Sequence, residues 1–246
     1  MIELTDHFSG RAAATYDQSS SEMFAPEKVD PVVDVLAELA GTGRALEFAS
    51  GTGRIALPLA ARGIPVSGID LSPDMTAELR AKPGGQDLDI TIGDIASTRI
   101  DGDFRVVYLV FNTIGNLTSQ DAQVACFANA AAHLEPGGYF VIETGVPKLR
   151  ALPPGQNAVP FAVGPRNFAF DLYDCATQQM SSNYITLNDD GTARQKSIPF
   201  RYTWPAELDL MARLAGMTLR NRWQDWTATP FTHDSQTHIS IWQKPA

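Results

Sequence analysis

Ten consecutive residues, Ala45-Leu46-Glu47-Phe48-Ala49-Ser50-Gly51-Thr52-Gly53-Arg54, constrain the fold of this chain most strongly. A short apolar run ends in a turn of small residues and passes into a helical pattern from Ile55 to Ala61. That is the pattern of a strand, a tight loop and a helix. Gly51 and Gly53 permit backbone angles closed to other residues and let a ligand approach the main chain, while the next helix turns its unpaired N–H groups toward it. The stretch reads as a ligand cradle.

Gly51-Thr52-Gly53-Arg54-Ile55-Ala56 also fits the loose dinucleotide-binding pattern, with alanine as the third small residue. The pattern asks for a carboxylate at the end of a second strand, to bind ribose hydroxyls. Asp70 stands there, nineteen residues after Gly51 and behind the run from Gly63 to Ile69. This spacing alone permits an NAD-dependent oxidoreductase. Two features point elsewhere: Glu47 lies where a dehydrogenase strand is usually apolar, and Gly93-Asp94-Ile95 follows a third strand at Leu88 to Ile92.

With Leu134-Glu135-Pro136-Gly137-Gly138 before a fifth strand, these features together resemble the class I S-adenosylmethionine-dependent methyltransferases. The matches are Glu47-x-Ala49-x-Gly51-x-Gly53, Asp70, Gly93-Asp94-Ile95 and the Leu134 to Gly138 turn, in the family's order, covering about residues 43 to 144. Residues 204 to 246 fit the family's ending less specifically. Ala49 departs from the family, which usually has glycine there. The resemblance implies S-adenosylmethionine as cofactor and S-adenosylhomocysteine as product. It assigns Asp70 to the ribose hydroxyls, Leu71 and Met75 to the adenine ring, and Asp94 with the Ile95 backbone to the adenine edge. Glu47 would orient the glycine loop and reach the cofactor's amino group through water, and Phe111 would offer its carbonyl to the same amine, with Asn112 and Thr113 facing the methyl. Tyr16 resembles a lid tyrosine that reaches the cofactor carboxylate. A non-catalytic protein that keeps the cofactor fold is a third reading, although nothing in the cradle is destroyed.

Strands alternating with helices predict a doubly wound, seven-stranded, mostly parallel Rossmann-like α/β sheet with an antiparallel last strand. Asp30-Pro31 predicts a helix start, with Val32, Val33, Val35, Leu36 and Leu39 on its apolar face and an end at Gly41. Ser72-Pro73 and Ser119 open two crossover helices, the second with Val124, Phe127, Ala128, Ala131 and Leu134 at helical spacing. Phe104 to Phe111 reads as a strand buried on both faces. After Pro147 the rhythm changes, and Asn188-Asp189-Asp190-Gly191 predicts the turn of a hairpin between Asn183 to Leu187 and Thr192 to Tyr202. The expected parts are an N-terminal lid and packing helix at 1–40, a cofactor-binding core at 41–147, an inserted antiparallel sheet at 148–203, and the C-terminal part of the core at 204–246.

The charge balance bears on the partner. Asp and Glu outnumber Lys and Arg by 28 to 19, giving net −9. Without a basic run, a nucleic-acid partner is disfavoured and a small molecule, such as an amine, is easier to accommodate. The chain carries no basic, apolar leader and no apolar span, so a cytoplasmic location without membrane is expected. Cys126 and Cys175 have no metal-ligand or disulfide spacing and read as reduced packing residues; no metal is expected. The inserted sheet is expected to form part of the substrate wall or a homodimer contact. His233, in a loop that should lie at the carboxyl edge of the sheet, is the candidate general base, with Asp234, His238 and Glu143 on the same edge.

Overall fold

The structure, a computed structural model, describes residues 7–246. Its main sheet contains β1 (Ala45–Phe48), β2 (Val66–Asp70), β3 (Asp89–Ile92), β4 (Phe104–Leu109) and β5 (Leu134–Gly145), joined near the C-terminus by β10 (Thr218–Trp223) and β11 (Thr237–Gln243). The spatial order is β10-β11-β5-β4-β1-β2-β3. β11 runs antiparallel to both neighbours and the other strands are parallel, as the sequence pattern predicts. β1 pairs with β2 on one side and β4 on the other, so the chain reverses its winding there. In open α/β sheets that reversal opens a crevice at the carboxyl ends of the two central strands.

Apolar faces cover both sides of the sheet. On one, α3 (Pro26–Ala40) and α4 (Ala56–Ala61) bury Val32, Val33, Leu36, Ile55 and Leu59 against Ala45, Tyr108 and Val141. On the other, α6 (Gln120–His133) and α7 (Pro205–Leu214) pack Phe127, Leu208 and Met211 against Phe48, Phe140 and Trp242. The Phe127 ring meets those of Phe140 and Trp242 edge-on, at 5.1 and 5.2 Å. α5 (Pro73–Arg80) begins where expected, with the Ser72 hydroxyl accepting from the Met75 N–H, and Ser119 caps α6 in the same way. Among the described residues no helix is long and apolar enough to cross a membrane.

Several expectations need correction. α3 begins at Pro26, not at Asp30-Pro31: Ala25 is extended, Pro26 takes the first-turn position, and Pro31 lies inside the helix. A proline within a helix removes a hydrogen bond, and the burial of Val29, Val32, Val33 and Leu36 on one face offsets that loss. Ahead of it, α1 (Arg11–Ala14) and α2 (Tyr16–Ser19) are single turns; residues 1–6 of the expected lid lie outside the described residues. On α6, Ala128 faces solvent while Gln123, Asn129 and His133 are buried, because each meets backbone from another element. Asn129 Nδ2 donates to the carbonyls of Ile95 (2.8 Å) and Thr98 (3.0 Å). The fourth strand stops at Leu109, two residues short of the expected end. Cys175 is exposed rather than packed.

Between β5 and α7 the chain forms a separate antiparallel sheet, in the order β6 (Ala158–Val163), β7 (Asn167–Tyr173), β8 (Gln179–Leu187), β9 (Ala193–Arg201). β8 and β9 are the expected hairpin. Arg201 fastens this sheet to the core: its buried guanidinium donates to Gln123 Oε1 (2.5 Å), Gln178 Oε1 (3.1 Å) and Glu207 Oε1 (2.7 Å). Gln123 Nε2 in return donates to the Arg201 carbonyl at 3.1 Å. Removing one member of a buried, hydrogen-bonded ion pair strands the other. Arg201→Ala is therefore expected to lower the unfolding free energy by about 3 kcal/mol; denaturant midpoints check this, and an unchanged midpoint would show that the clasp is dispensable.

Candidate active site

The glycine loop leaves β1 through backbone angles that side chains resist. Ala49 has φ +56°, followed by Gly51 at +55° and Gly53 at +83°. A left-handed alanine costs about 1–2 kcal/mol, which explains why glycine suits position 49. At Gly53 an added Cβ would stand 2.9 Å from the Leu57 side chain, so the bare backbone lets α4 pack close.

Asp70 closes the loop from the neighbouring strand. Its Oδ2 accepts from the Gly51 N–H at 2.6 Å, and its Oδ1 from the Ser72 N–H at 2.8 Å. Burial pushes its carboxyl above the ordinary range, and the two N–H groups pull it back. Beside it, Leu71 and Ile92, large apolar residues at the carboxyl ends of β2 and β3, are 40% and 44% exposed. Together they make an uncovered apolar bed next to a buried carboxylate. Asp94 is exposed nearby and accepts from the Ala96 N–H at 2.8 Å, and Asn129 holds the carbonyl of buried Ile95. Met75 is buried, its Cε beneath Gly51.

On the other side of the switch, Phe111 and Asn112 both have φ +62°. Consecutive left-handed residues of this kind persist only when their surroundings hold them. Glu143 supplies the restraint, accepting from the Phe111 N–H through Oε2 (2.9 Å) and from the Asn112 N–H through its carbonyl (3.1 Å). Asn112 Oδ1 accepts in turn from the Gly145 N–H at 2.6 Å. Glu143, a candidate base in the sequence, thus serves here as a backbone clamp.

The N-terminal turns close over this edge. Asp17 accepts from the Thr52 hydroxyl at 2.6 Å and pairs with Lys82, which also donates to the Thr52 carbonyl at 2.6 Å. The Ser72 hydroxyl donates to the Phe8 carbonyl at 2.7 Å, and the Gly10 N–H to Asp74 at 2.6 Å. Tyr16 packs against Phe8, their ring centroids 6.4 Å apart. Burial pushes its hydroxyl pKa up, opposed by the Arg54 guanidinium. Arg54 lies over the Phe111 ring at 4.9 Å and donates to the Met23 carbonyl at 3.4 Å, linking lid, glycine loop and β4 end.

Glu47 lies beneath. Its carboxyl and the hydroxyl of its register partner Tyr108 are buried beside one another, with the Ala56 backbone also against the carboxyl. Burial pushes the Glu47 carboxyl up to about 8, with Arg54 opposing. A buried carboxyl under the loop, the Asp70 carboxylate above it and an apolar bed beside it fit a ligand that combines a polar head, a ribose and an aromatic base.

Of the residues singled out in the sequence, Glu47, Ala49, Gly51, Gly53, Asp70, Leu71, Met75, Asp94, Ile95 and Phe111 lie in or just after the carboxyl ends of β1 to β4, and Tyr16 opens α2 in the N-terminal turns. His233 lies on the β10–β11 loop, near the carboxyl end of β5, where Thr237 pairs with Gly145. Its ring is 81% exposed and 3.2 Å from Asp234, and its carbonyl accepts from Arg150. His238 is buried, its Nδ1 2.8 Å from Ser240 Oγ, and burial lowers its pKa to about 4. Sequence reading missed Arg54, Asp17 and Lys82. Arg54 could have been suspected from its place after the glycines, but nothing local marks Asp17 as a partner of Thr52.

Fold and site together define a Rossmann-like protein with its winding reversed between β1 and its neighbours β2 and β4. The profile of the methyltransferase domain family matches residues 45–138. The solved CcbJ methyltransferase from Streptomyces caelestis is 33% identical, with a TM-score of 0.78 over 88% of this chain and 89% of that one. CalS10 from Micromonospora echinaspora, described as an amino pentose methyltransferase and solved with S-adenosylmethionine, shares the fold at 20% identity, with a TM-score of 0.66 over 89% of this chain and 90% of that one. The dTDP-3-amino-3,4,6-trideoxy-alpha-D-glucopyranose N,N-dimethyltransferase of Streptomyces venezuelae is 32% identical over 98 residues, 40% of each chain. The aligned stretches span 44% and 40% of the length of the curated relatives. The chain belongs to the class I S-adenosylmethionine-dependent methyltransferases.

Glu47 gives the ligand-free protein a pH signature. Its native carboxyl keeps its proton up to about pH 8, whereas a free glutamate gives it up near 4.5. The native state binds more protons between those values, so this group's contribution makes stability fall as pH rises from 4.5 to 8. Glu47→Gln removes that contribution. The melting temperature of the ligand-free wild type is therefore expected to decline across this window relative to the variant; a difference independent of pH would contradict the raised carboxyl.

Proposed function

We propose that the protein transfers the methyl group of S-adenosylmethionine to an amine nitrogen of a small polar acceptor of the amino-sugar class. The observation that carries the cofactor assignment is the Asp70 carboxylate at the end of β2, held by Gly51 and Ser72 beside the exposed Leu71 and Ile92. The acceptor class is supported by relatives: the Streptomyces venezuelae protein is an amino-sugar N,N-dimethyltransferase and CalS10 an amino pentose methyltransferase. The acidic chain, net −9, also suits a cationic amine.

Each site residue has a role in this reading. Asp70 accepts from the ribose hydroxyls, Leu71 and Ile92 bed the adenine, and Asp94 with the Ile95 backbone reads its edge. Met75 supports the loop from below. Glu47 and the Phe111 carbonyl take the ammonium group, Glu47 through water, while Tyr16 and Arg54 meet the carboxylate. When bound, S-adenosylmethionine supplies an electrophilic methyl on a sulfonium sulfur. The chain's part is to align the acceptor nitrogen with that methyl and to exclude water, which the N-terminal turns do by covering the cradle.

An amine with a pKa of about 8 is already partly neutral near neutral pH, so a strong base is dispensable. The His233 ring is 81% exposed. The test is mass-spectrometric detection of methyl gain on the dTDP-linked amino sugar and on a panel of free amino sugars, with hydroxyl analogues as controls. Gain on amines alone is expected; gain on the hydroxyl analogues alone would replace N- with O-methylation. His233→Ala is expected to lower turnover by less than about tenfold, below the range of a true general base. A larger loss that follows the histidine titration would make His233 the base.

A further inference from the structure

The N-terminal cover is held by ties rather than by burial. Within residues 8–24, Ala13 is the one buried side chain among the described residues, and α1 and α2 have four residues each. Helices that short do not hold themselves in water, so the segment keeps its place through bonds to other elements. Two of these reach the start of α5, from Ser72 to the Phe8 carbonyl and from the Gly10 N–H to Asp74. The third is a closed triangle of Asp17, Thr52 and Lys82.

Thr52 stands between the two loop glycines and is buried. Its hydroxyl donates to Asp17 Oδ1 at 2.6 Å, and its carbonyl accepts from Lys82 Nζ at 2.6 Å. Lys82 closes the triangle by pairing with Asp17 Oδ2. The Phe24 ring, centred 5.3 Å from Nζ, faces the same cation. One ammonium thus binds the glycine loop, α2 and the turn at Ser21–Phe24 together. Lys82 lies two residues past α5, whose first turn holds the other two ties, so the cover is strung from both ends of that helix. The pair remains within reach of water and salt, the Lys82 and Asp17 side chains being 27% and 40% exposed. A charged tie of this kind can break and remake while the core beneath it stays folded.

We infer that Lys82 and Asp17 are positioning residues for the cofactor. Closed, the triangle fixes the hydroxyl and carbonyl of Thr52 and holds α2, with Tyr16, to the glycine loop. Its opening sets the rate at which S-adenosylmethionine enters and S-adenosylhomocysteine leaves. The two side chains act through Thr52 and need not touch the cofactor themselves. The inference takes the cofactor's place at the glycine loop from the proposed function and is independent of the acceptor. It adds that exchange is gated by a salt-sensitive clasp, a conformational step of the kind that limits turnover in many enzymes.

Surface plasmon resonance with S-adenosylhomocysteine over the immobilised protein separates the two rate constants. Lys82→Met keeps an apolar stem and removes both bonds from the ammonium; Asp17→Asn removes the ion pair and can still accept from Thr52. Each is expected to raise the dissociation rate by about tenfold or more, the scale of a hydrogen bond to a charged group. Association should quicken as well, so that the dissociation constant moves less than either rate. The double variant should dissociate no faster than the faster of the two, because both substitutions open one triangle. Added salt should speed dissociation from the wild type and leave Lys82→Met unaffected, and the melting temperature of the ligand-free variants should not move. A dissociation rate unchanged in both variants, one that rises only in step with a fall in melting temperature, or a wild-type rate indifferent to salt would overturn the inference. Wild-type protein that binds no S-adenosylhomocysteine would instead overturn the cofactor assignment, and the inference with it.

Discussion

The Asp70 carboxylate joins two strand ends. One oxygen takes the Gly51 N–H from the loop after β1, and the other takes the Ser72 N–H from the turn after β2. Charge-assisted bonds of this kind are stronger than neutral ones, and burial keeps water from competing for them. Ser72 then extends the connection: its hydroxyl caps α5 and donates to the Phe8 carbonyl, so the lid hangs from the same turn. The glycine loop, the first turn of α5 and the N-terminal cover share one carboxylate. Leu71, directly after it, and Ile92, its register partner on β3, are left exposed.

The second half of the site rests on strain held in place by structure. Ala49 and the pair Phe111-Asn112 take left-handed angles at the ends of β1 and β4, the two strands that flank the switch. Each is restrained from an adjacent strand. The Ala49 N–H donates to the Ile69 carbonyl at 2.7 Å, and Glu143 holds the Phe111 and Asn112 amides. Arg54 bridges the halves through the Phe111 ring and the Met23 carbonyl. Neighbouring elements thus hold the backbone in shape before any ligand arrives, the condition for alignment to aid a displacement reaction.

Features written locally were legible in the sequence. The spacing from Gly51 to Asp70, the Ser72-Pro73 and Ser119 caps and the Asn188 to Gly191 turn each express a physical rule over a few residues, and the fold follows from them. Features made by distant partners were not. Asp30-Pro31 carries a local helix-start signal, but α3 already begins at Pro26, with Val29 on its buried face. Gln123 and Asn129 look like surface residues of α6 until Arg201 and Ile95 supply their partners. The contact between Asp17 and Thr52 leaves no local mark.

The measurement that tests the account most directly is calorimetric titration of wild type and Asp70→Ala with S-adenosylhomocysteine, alongside NADH. The account expects saturable binding of S-adenosylhomocysteine to the wild type, its loss in Asp70→Ala while the variant remains folded, and no binding of NADH. Undiminished affinity in Asp70→Ala, or binding of NADH in place of S-adenosylhomocysteine, would contradict the placement of the cofactor at the β1/β4 switch.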